Sequence, residues 1–299
     1  MPAHTRKTAG FMMAEREKAA LREQAITLPI TEGYPFDVEA KLLRSVVEES
    51  SVMLDIGANT GVYSTILEDV VGSQNLYIFE PLPHLHRHLK KRFKNAHVFD
   101  LALSDKEERR NIRVPFIGGT RVDARATFNS HTESNQTGTD EVAVQLLPLD
   151  SFAKKAHFES IGLIKIDVEG HELEVLNGGA ETITRFKPLI LIEIESRHHQ
   201  FPITEIFSKL EGLGYKGYYL NPSEFKLFDI AKFNSDRDQN QMNLNSKDLY
   251  RYLNNFFFVH EASAKDFVSS TLEFLKREKN KAEQAIAPEV EASQVEGFG

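Results

Sequence analysis

Residues 52–64 read VMLDIGANTGVYS, and this stretch decides the fold. The apolar run 52–56 predicts a buried parallel strand, and the turn after it opens at the sheet edge where doubly wound folds bind ligands. Gly57 and Gly61 permit backbone conformations and close approaches that a side chain would block. The stretch therefore predicts an α/β fold with a small-molecule pocket beside its first strand.

The glycine spacing differs from that of dinucleotide-binding proteins. Their fingerprint is G-x-G-x-x-G, whereas this turn reads D-x-G-x-N-x-G from Asp55 to Gly61. A carboxylate at the strand end repels phosphate but suits a cationic amino acid or a sulfonium group. S-adenosylmethionine carries both positive centres, so we favour it over a pyrophosphate ligand.

A second apolar run, residues 76–79, also ends in an acid, Glu80. Glu80 follows Asp55 by about the interval at which Rossmann-like folds place an acid on a ribose. Taken alone, Glu80 also fits an exposed acid before Pro81. Its pairing with Asp55 favours the ribose interpretation.

Two later strands carry polar groups to the same edge. Residues 163–172, LIKIDVEGHE, deliver Asp167, Glu169 and His171. Glu169 and Glu172 also fit the start of a helix, where acids favour the dipole, and for Glu172 both interpretations stay open.

The strand predicted at residues 189–195 adds Glu193 and Glu195, which alternation places on one face. One of the two is therefore expected to line the cleft. His198 and His199 follow them, but adjacent histidines are commonly solvated, so catalysis by either is the weaker interpretation.

The remaining chain alternates between strand and helix patterns, which predicts a mostly parallel sheet. Residues 104–150 are less regular and hold two extended runs, 111–116 and 142–147, around a polar loop, which is typical of a lid or binding loop. We expect a polar extension at residues 1–35 with a helix around 11–24, one domain at 36–261, and a C-terminal helix with a disordered tail at 262–299. The seven predicted strands are 52–56, 76–80, 97–101, 163–167, 189–195, 215–221 and 255–260.

Composition narrows the function classes. The chain has 299 residues, of which 41% are hydrophobic, enough for one large domain. A net charge of -8 argues against nucleic acid and anionic lipid as partners. The absence of cysteine excludes disulfides, a thiolate nucleophile and cysteine-ligated zinc. No secretory signal or membrane-spanning stretch is evident, so we expect a cytoplasmic protein.

In order along the chain, LDIGANTGVYS at 54–64, FEP at 79–81, KIDVEGHE at 165–172 and NNFFFV at 254–259 resemble the FkbM-type methyltransferase family. The resemblance spans roughly residues 36–261. It implies a Rossmann-like class I methyltransferase fold with a seven-stranded, mostly parallel sheet, an antiparallel last strand and helices on both faces. It also implies S-adenosylmethionine as the methyl donor and a hydroxyl acceptor on a sugar or another small molecule.

The resemblance further implies roles for individual residues. Asp167 and Glu169 would face the methyl-transfer site. The adenine contact is open, because Asp100 stands where such proteins often carry asparagine. The cofactor-binding residues would be Asp55, Gly57, Asn59, Gly61 and Tyr63 for the methionine part, Glu80 for the ribose, and Asp100 and Ala102 for the adenine, with Asp167 beside the transferred methyl.

Methylation of a hydroxyl requires removal of its proton. His171, Glu169 and Glu195 are the candidate bases in that order, because imidazole needs no large pKa shift near pH 7. Alternatively, Mg²⁺ bridging Asp167 and a strand-end glutamate would lower the pKa of the acceptor. Two other functions stay open: a nicotinamide-dependent reductase on a related sheet, and a non-catalytic scaffold that binds the cofactor. The oligomeric state is not predicted.

Overall fold

The computed structural model describes residues 3–30, 37–130, 132–133, 135–240 and 252–295, and within these ranges side chains from 15 to 285. The strands are β1 (Met53–Ile56), β2 (Leu76–Phe79), β3 (His97–Phe99), β4 (Leu101–Ser104), β5 (Glu108–Ile117), β6 (Thr120–Arg121), β7 (Gln136–Pro148), β8 (Leu163–Ile166), β9 (Leu189–Glu193), β10 (Tyr215–Asn221), β11 (Lys226–Asp229) and β12 (Asn255–His260).

The helices lie between these strands and at both ends of the described chain. They are α1 (Ala3–Thr27), α2 (Val38–Val46), α3 (Val62–Val71), α4 (Pro83–Arg92), α5 (Leu149–Ala156), α6 (Glu172–Gly178), α7 (Ala180–Phe186), α8 (Thr204–Glu211), α9 (Ser235–Asp238) and the C-terminal helix (Ala264–Val295). Short 3-10 turns occupy Ser73–Asn75, Asp123–Arg125, Ser196–His198 and Ile230–Lys232.

The main sheet confirms the predicted α/β architecture. Its strand order is β11-β10-β12-β9-β8-β1-β2-β3, with parallel pairing from β9 to β3. The last strand, β12, is antiparallel to both of its neighbours, as predicted. All seven predicted strands are present, but the count was wrong by one. The extra strand, β11, is a four-residue edge strand, too short to show a clear alternating pattern.

Residues 101–148 form a second sheet where we predicted an irregular lid. Its order is β4-β7-β5-β6, and β5 pairs with β7 along its whole length. β5 and β7 contain the extended runs predicted at 111–116 and 142–147, but the exposed polar residues at the start of each strand hide its full length and the pairing. The buried side of the sheet forms one apolar cluster with the loop after β2 and the loop before β7. The cluster consists of Leu82, Ala102, Ile112, Val114, Phe128, Val144 and Leu146. This sheet therefore stands over one side of the main sheet's carboxyl edge.

Helices cover both faces of the main sheet, because alternate residues of its strands are buried on opposite sides. Ile56 and Ile166 belong to the core beneath α5, α6, α7 and α8. Leu191 and Phe257 belong to the core beneath α1 to α4 and the C-terminal helix. The amphipathic face that each helix buries thus closes one of two apolar layers.

Both extensions pack against the domain. In α1, which is longer than the predicted helix, Lys18 Nζ lies 2.7 Å from Glu68 Oε2 of α3. The C-terminal helix continues to Val295, through most of the tail whose composition predicts disorder, while residues 296–299 lie outside the described residues. Glu278 of that helix pairs with Lys41 of α2 at 2.6 Å, and both side chains are buried. Among the helices that the structure describes, none is long and apolar enough to cross a bilayer.

Candidate active site

A cavity of about 230 Å³ opens at the carboxyl edge of the main sheet, between that sheet and the second one. Its apolar wall includes Leu101, Leu103, Ile112 and Phe128. Among the described lining residues there is no lysine or arginine, whereas five carry carboxyl groups: Glu80, Asp123, Asp167, Glu169 and Glu193. Three of these acids have cationic partners outside the lining, because Lys165 lies near Asp167 and Glu193, and Arg121 lies near Asp123. The described cavity surface itself presents acids and no cationic lysine or arginine.

The glycine turn after β1 forms the floor of the cavity through Gly57 and Asn59. Gly57 has φ +80°, and a Cβ atom there would lie 1.8 Å from the carbonyl oxygen of Asp167. Gly61 has φ +79°, and a Cβ atom there would contact Leu89 and Phe93. The turn therefore needs glycine at both positions, as the spacing predicts. Gly57 lets β1 lie against the loop after β8, and Gly61 leaves room for Leu89 and Phe93.

Glu80 bridges the glycine turn and the loop after β2. Its Oε2 accepts from the backbone N–H of Asn59 and its Oε1 from that of Leu82, each at 2.8 Å. Burial raises the pKa of Glu80 to about 7, although these two hydrogen bonds oppose the shift. A carboxylate has about four acceptor positions, so further ones remain on the cavity side for hydroxyl groups.

Asp55 and Tyr63 do not reach the described cavity wall. Asp55 is only 3% exposed, and its Oδ2 accepts from the N–H of Ser64 at 3.2 Å and from the Ser64 hydroxyl. Burial raises the pKa of Asp55 to about 6. The Tyr63 hydroxyl donates to Asp37 at 2.8 Å. Asp55 lies within β1 rather than at its tip, so it supports the first turn of α3.

The region predicted for adenine is divided between two surfaces. Ala102 lines the cavity together with its neighbours Leu101 and Leu103. Asp100 is exposed and lies in a separate depression with Arg87 and Arg109. The apolar segment alone therefore faces the candidate site.

Lys165 is a site residue that our sequence interpretation did not single out. It is 1% exposed, and its Nζ lies 3.7 Å from Asp167 Oδ2 and 3.8 Å from Glu193 Oε2. Burial alone would lower the pKa of Lys165, but the two carboxylates outweigh it and raise that pKa. Burial raises the pKa of Asp167 and of Glu193 despite the ammonium. One lysine inside an apolar strand was the signal available in the sequence.

Of the two glutamates after β9, Glu193 lines the cavity. Glu195 is not among the lining residues and is held instead by Arg197 and by the Tyr252 hydroxyl, which donates at 3.0 Å. Burial would raise the pKa of Glu195, but the bonds from Arg197 prevail and lower it. Glu195 is therefore poorly placed for the role of base that the sequence suggested.

His171 is 3% exposed and has both ring nitrogens near polar partners. Its Nε2 lies 2.9 Å from the Ser104 hydroxyl, and its Nδ1 lies 3.6 Å from Glu174. Burial lowers the pKa of His171. Glu172 is also buried, with Oε1 accepting from the N–H of Gly170 and Oε2 2.9 Å from His199 Nε2. These contacts favour the helix-start interpretation of Glu172.

Glu169 and His198 form a close pair at the cavity wall. Glu169 Oε2 lies 2.7 Å from His198 Nε2, and the side chains are 17% and 2% exposed. Burial raises the pKa of Glu169 well above its usual value and lowers that of His198 to about 4. The Thr127 hydroxyl donates to the Glu169 carbonyl at 2.6 Å, and the Asn129 amide donates to the His198 carbonyl at 2.9 Å. The loop before β7 thus fixes both members of the pair.

The metal hypothesis finds no support in the described part of the chain. Within it, no group of three or more histidine, aspartate and glutamate side chains is arranged to hold a metal ion. The hypothesis placed Mg²⁺ between Asp167 and a strand-end glutamate, which is where the Lys165 ammonium lies.

A nearby buried acid, Glu39 in α2, leads to a prediction about stability. Burial, together with Asp37, raises the pKa of Glu39 to about 8 in the folded protein. Such a group contributes stability below pH 4.5, and this contribution is lost as the pH rises toward 8. The unfolding free energy of the wild type should therefore fall by about 3 kcal/mol relative to that of Glu39→Gln as the pH rises from 5 to 8. Urea unfolding at both pH values measures this difference, and a constant difference would contradict it.

Residues 55–216 match the family described as Methyltransferase FkbM domain. The 2-O-methyltransferase NoeI of Sinorhizobium fredii is 27% identical over 158 residues, which cover 50% of this chain and 65% of NoeI. The hexuronic acid methyltransferase AglP of Haloferax volcanii is 24% identical over 169 residues, which cover 56% of this chain and 66% of AglP. The chain thus spans just under two thirds of the length of each relative.

Among solved structures, the crystal structure of Methyltransferase FkbM from Methylobacillus flagellatus aligns with 14% sequence identity and a TM-score of 0.44. The alignment covers 72% of this chain and 47% of that chain.

Proposed function

Because the chain belongs to the FkbM methyltransferase family, we propose that it is an S-adenosylmethionine-dependent O-methyltransferase that acts on a hydroxyl of a sugar or another small molecule. The single observation that carries the proposal is the cavity beside the glycine turn, whose described walls hold five acids and neither lysine nor arginine. Such a wall attracts a sulfonium ion and repels the phosphates of a nicotinamide dinucleotide.

The residues present fit this cofactor. The turn at Gly57 has no side chain to obstruct a ligand, and Glu80 keeps acceptor positions for ribose hydroxyls beyond its two backbone bonds. Leu101, Ala102 and Leu103 offer an apolar surface for a base. When bound, the cofactor supplies an electrophilic methyl group. Asp167 and Glu193 then lie on the wall nearest the buried Lys165, and Asp55 and Tyr63 support the turn.

Glu169 is the residue best placed to accept the proton of the acceptor hydroxyl. It lines the cavity, and burial raises its pKa well above the usual value, which makes its carboxylate a stronger base than an exposed one. Its Oε2 lies 2.7 Å from His198 Nε2, and its side chain is 17% exposed. His171, our first choice from the sequence, also lines the cavity, but its two nitrogens already have Ser104 and Glu174 as neighbours.

The acceptor is expected to be uncharged near the reacting hydroxyl. Sugar hydroxyls can form hydrogen bonds with the carboxyl groups of Asp167, Glu169 and Glu193, whereas the described lining offers no lysine or arginine to a carboxylate or phosphate of the substrate. We therefore favour a neutral sugar over a uronic acid as the substrate class.

Isothermal titration calorimetry with purified protein tests the cofactor assignment. We expect saturable binding of S-adenosylmethionine at one site per chain and no comparable binding of NADPH. Absence of cofactor binding in a correctly folded sample would refute the proposed function. Preferential binding of NADPH would instead support a reductase.

The proton acceptor can be tested by a pair of substitutions. We expect Glu169→Gln to lower kcat by about 100-fold while the cofactor dissociation constant changes little, because the amide cannot take a proton. His171→Ala serves as the comparison and should retain kcat within about fivefold if its imidazole does not act as the base. Radiolabelled methyl transfer to a panel of neutral sugars measures both. The reverse ranking would return the role of base to His171.

A further inference from the structure

Oxygen atoms surround the Lys165 ammonium, which lies behind the part of the cavity wall that Asp167 and Glu193 form. Four of them lie between 3.4 and 3.8 Å from Nζ: the Ile166 carbonyl, Asn255 Oδ1, Asp167 Oδ2 and Glu193 Oε2. The Tyr63 ring covers a further side, with its centroid 5.0 Å from Nζ. Acid, amide and carbonyl oxygens are the ligands that hard divalent cations take in proteins. Here a lysine occupies the centre of such a set.

Charge balance explains why a cation is needed there. Ile166 and Ile192 are paired in the register of β8 and β9, so Asp167 and Glu193 emerge from adjacent strand ends. Asp167 and Glu193 are half-buried, with 34% and 21% of their side chains exposed, and their negative charges repel each other unless a positive charge lies beside them. The Lys165 side chain is 1% exposed, and its ammonium is the cation that faces both carboxylates.

We propose that Lys165 is the resident cation of this site: it holds Asp167 and Glu193 in place and makes the cavity independent of divalent metal. The inference rests on the proposed function for the identity of the cavity. It makes Lys165 a positioning residue that does not itself touch the substrate.

Further acidic groups near Lys165 support this assignment, namely Asp37, Asp55 and Glu39. Asp37 and Asp55 add negative potential at the ammonium and, with Asp167 and Glu193, raise the pKa of Lys165. The ammonium therefore stays protonated although burial alone would favour its neutral form. The ammonium therefore neutralises the negative charge of Asp167 and Glu193 without a bound metal ion.

Removing the side chain should convert the lysine site into a metal site. We expect Lys165→Ala to lower the melting temperature by about 5 °C, because two half-buried acids lose their counter-ion. Millimolar Mn²⁺ or Ca²⁺ should restore at least half of that loss by binding the vacated oxygens. The wild type should show no change in melting temperature with either ion or with EDTA.

Lys41 provides a matched control. It is also a buried lysine, away from the cavity, and its Nζ contacts one carboxylate, that of Glu278, and the Leu28 carbonyl, each at 2.6 Å. Lys41→Ala should lower the melting temperature as well, yet divalent ions should not restore it, because one carboxylate does not form a cation site. Recovery of both variants to the same extent would overturn the inference.

A second pair of variants keeps the proposal testable if Lys165→Ala does not fold. Lys165→Met preserves much of the side-chain volume without the charge, and Glu193→Gln keeps an oxygen for Asn254, which donates to Glu193 at 2.6 Å. We expect the double variant Lys165→Met/Glu193→Gln to melt higher than Lys165→Met alone, since one of the two repelling charges is gone. Additive losses would mean that Lys165 acts through packing, and the inference would fail.

These outcomes separate the inference from the function on which it rests. If the wild type binds S-adenosylmethionine but needs a divalent ion to do so, the proposed function stands and the role of Lys165 falls. If the wild type does not bind the cofactor while the lysine variants behave as expected, the proposed function falls and the resident cation stands.

Discussion

Replacing Gly57 with alanine is expected to cost about 4 kcal/mol of folding free energy and to abolish cofactor binding. The added Cβ atom would lie 1.8 Å from the Asp167 carbonyl oxygen, in a residue with φ +80°. Relief of that clash requires β1 to move away from the loop after β8. The sequence predicted the need for glycine at this turn, and the structure shows that the excluded neighbour is the protein's own backbone. Urea unfolding and calorimetry measure the two losses.

Gly118 is a suitable control for this substitution. It also has a positive φ, +57°, but a Cβ atom there would have no neighbour within 4 Å. Gly118→Ala should therefore cost only about 1 kcal/mol, the conformational term alone, and leave cofactor binding intact. Equal losses in the two variants would show that backbone conformation, and not the approach of β1 to β8, governs the turn.

We expect Glu80→Gln to weaken S-adenosylmethionine binding by about 100-fold. Both carboxylate oxygens accept from backbone N–H groups, of Asn59 and Leu82, so one donor would face the amide NH₂ of glutamine. An unsatisfied buried donor costs about 1 to 3 kcal/mol, and the ribose loses an acceptor as well. Calorimetry measures the change in the dissociation constant.

The pH dependence of wild-type binding provides a second test of Glu80. Since burial raises its pKa to about 7, the carboxylate is protonated below that pH and loses acceptor capacity. Cofactor affinity should therefore fall as the pH drops from 8 to 6, and this fall should be absent in Glu80→Gln. Asp100→Asn is the control, because Asp100 lies outside the cavity and its substitution should leave affinity unchanged. A matching loss in Asp100→Asn would place the cofactor elsewhere.

Local patterns were sufficient for most of the fold. The main-sheet strands are short apolar runs between turn residues, and seven of the eight were predicted because each pattern is complete within a few residues. Parts of β5 and β7 were predicted as extended runs, but the second sheet was missed because the exposed polar residues at the start of each strand resemble a loop. Its pairing joins residues far apart in the chain, which no local pattern reveals.

Some features of the candidate site could also be predicted from local sequence patterns, and others could not. The positions of Glu80, Asp167 and Glu169 on the cavity wall follow from strand ends that the sequence marks plainly. The choice of Glu193 over Glu195 depends on Arg197 and Tyr252, and the close partner of Glu169 is His198. These partners come from other segments of the chain, so residue type and spacing do not reveal them.

The sequence by itself determined the strand and helix order, the glycine turn and the family, because strand periodicity and glycine spacing are properties of short segments. Only the tertiary structure decided which acids face the cavity, that Lys165 lies between two of them, and that Asp55 turns toward α3. Burial and charge pairing depend on which distant segments meet, and those contacts set the ionisation of each group.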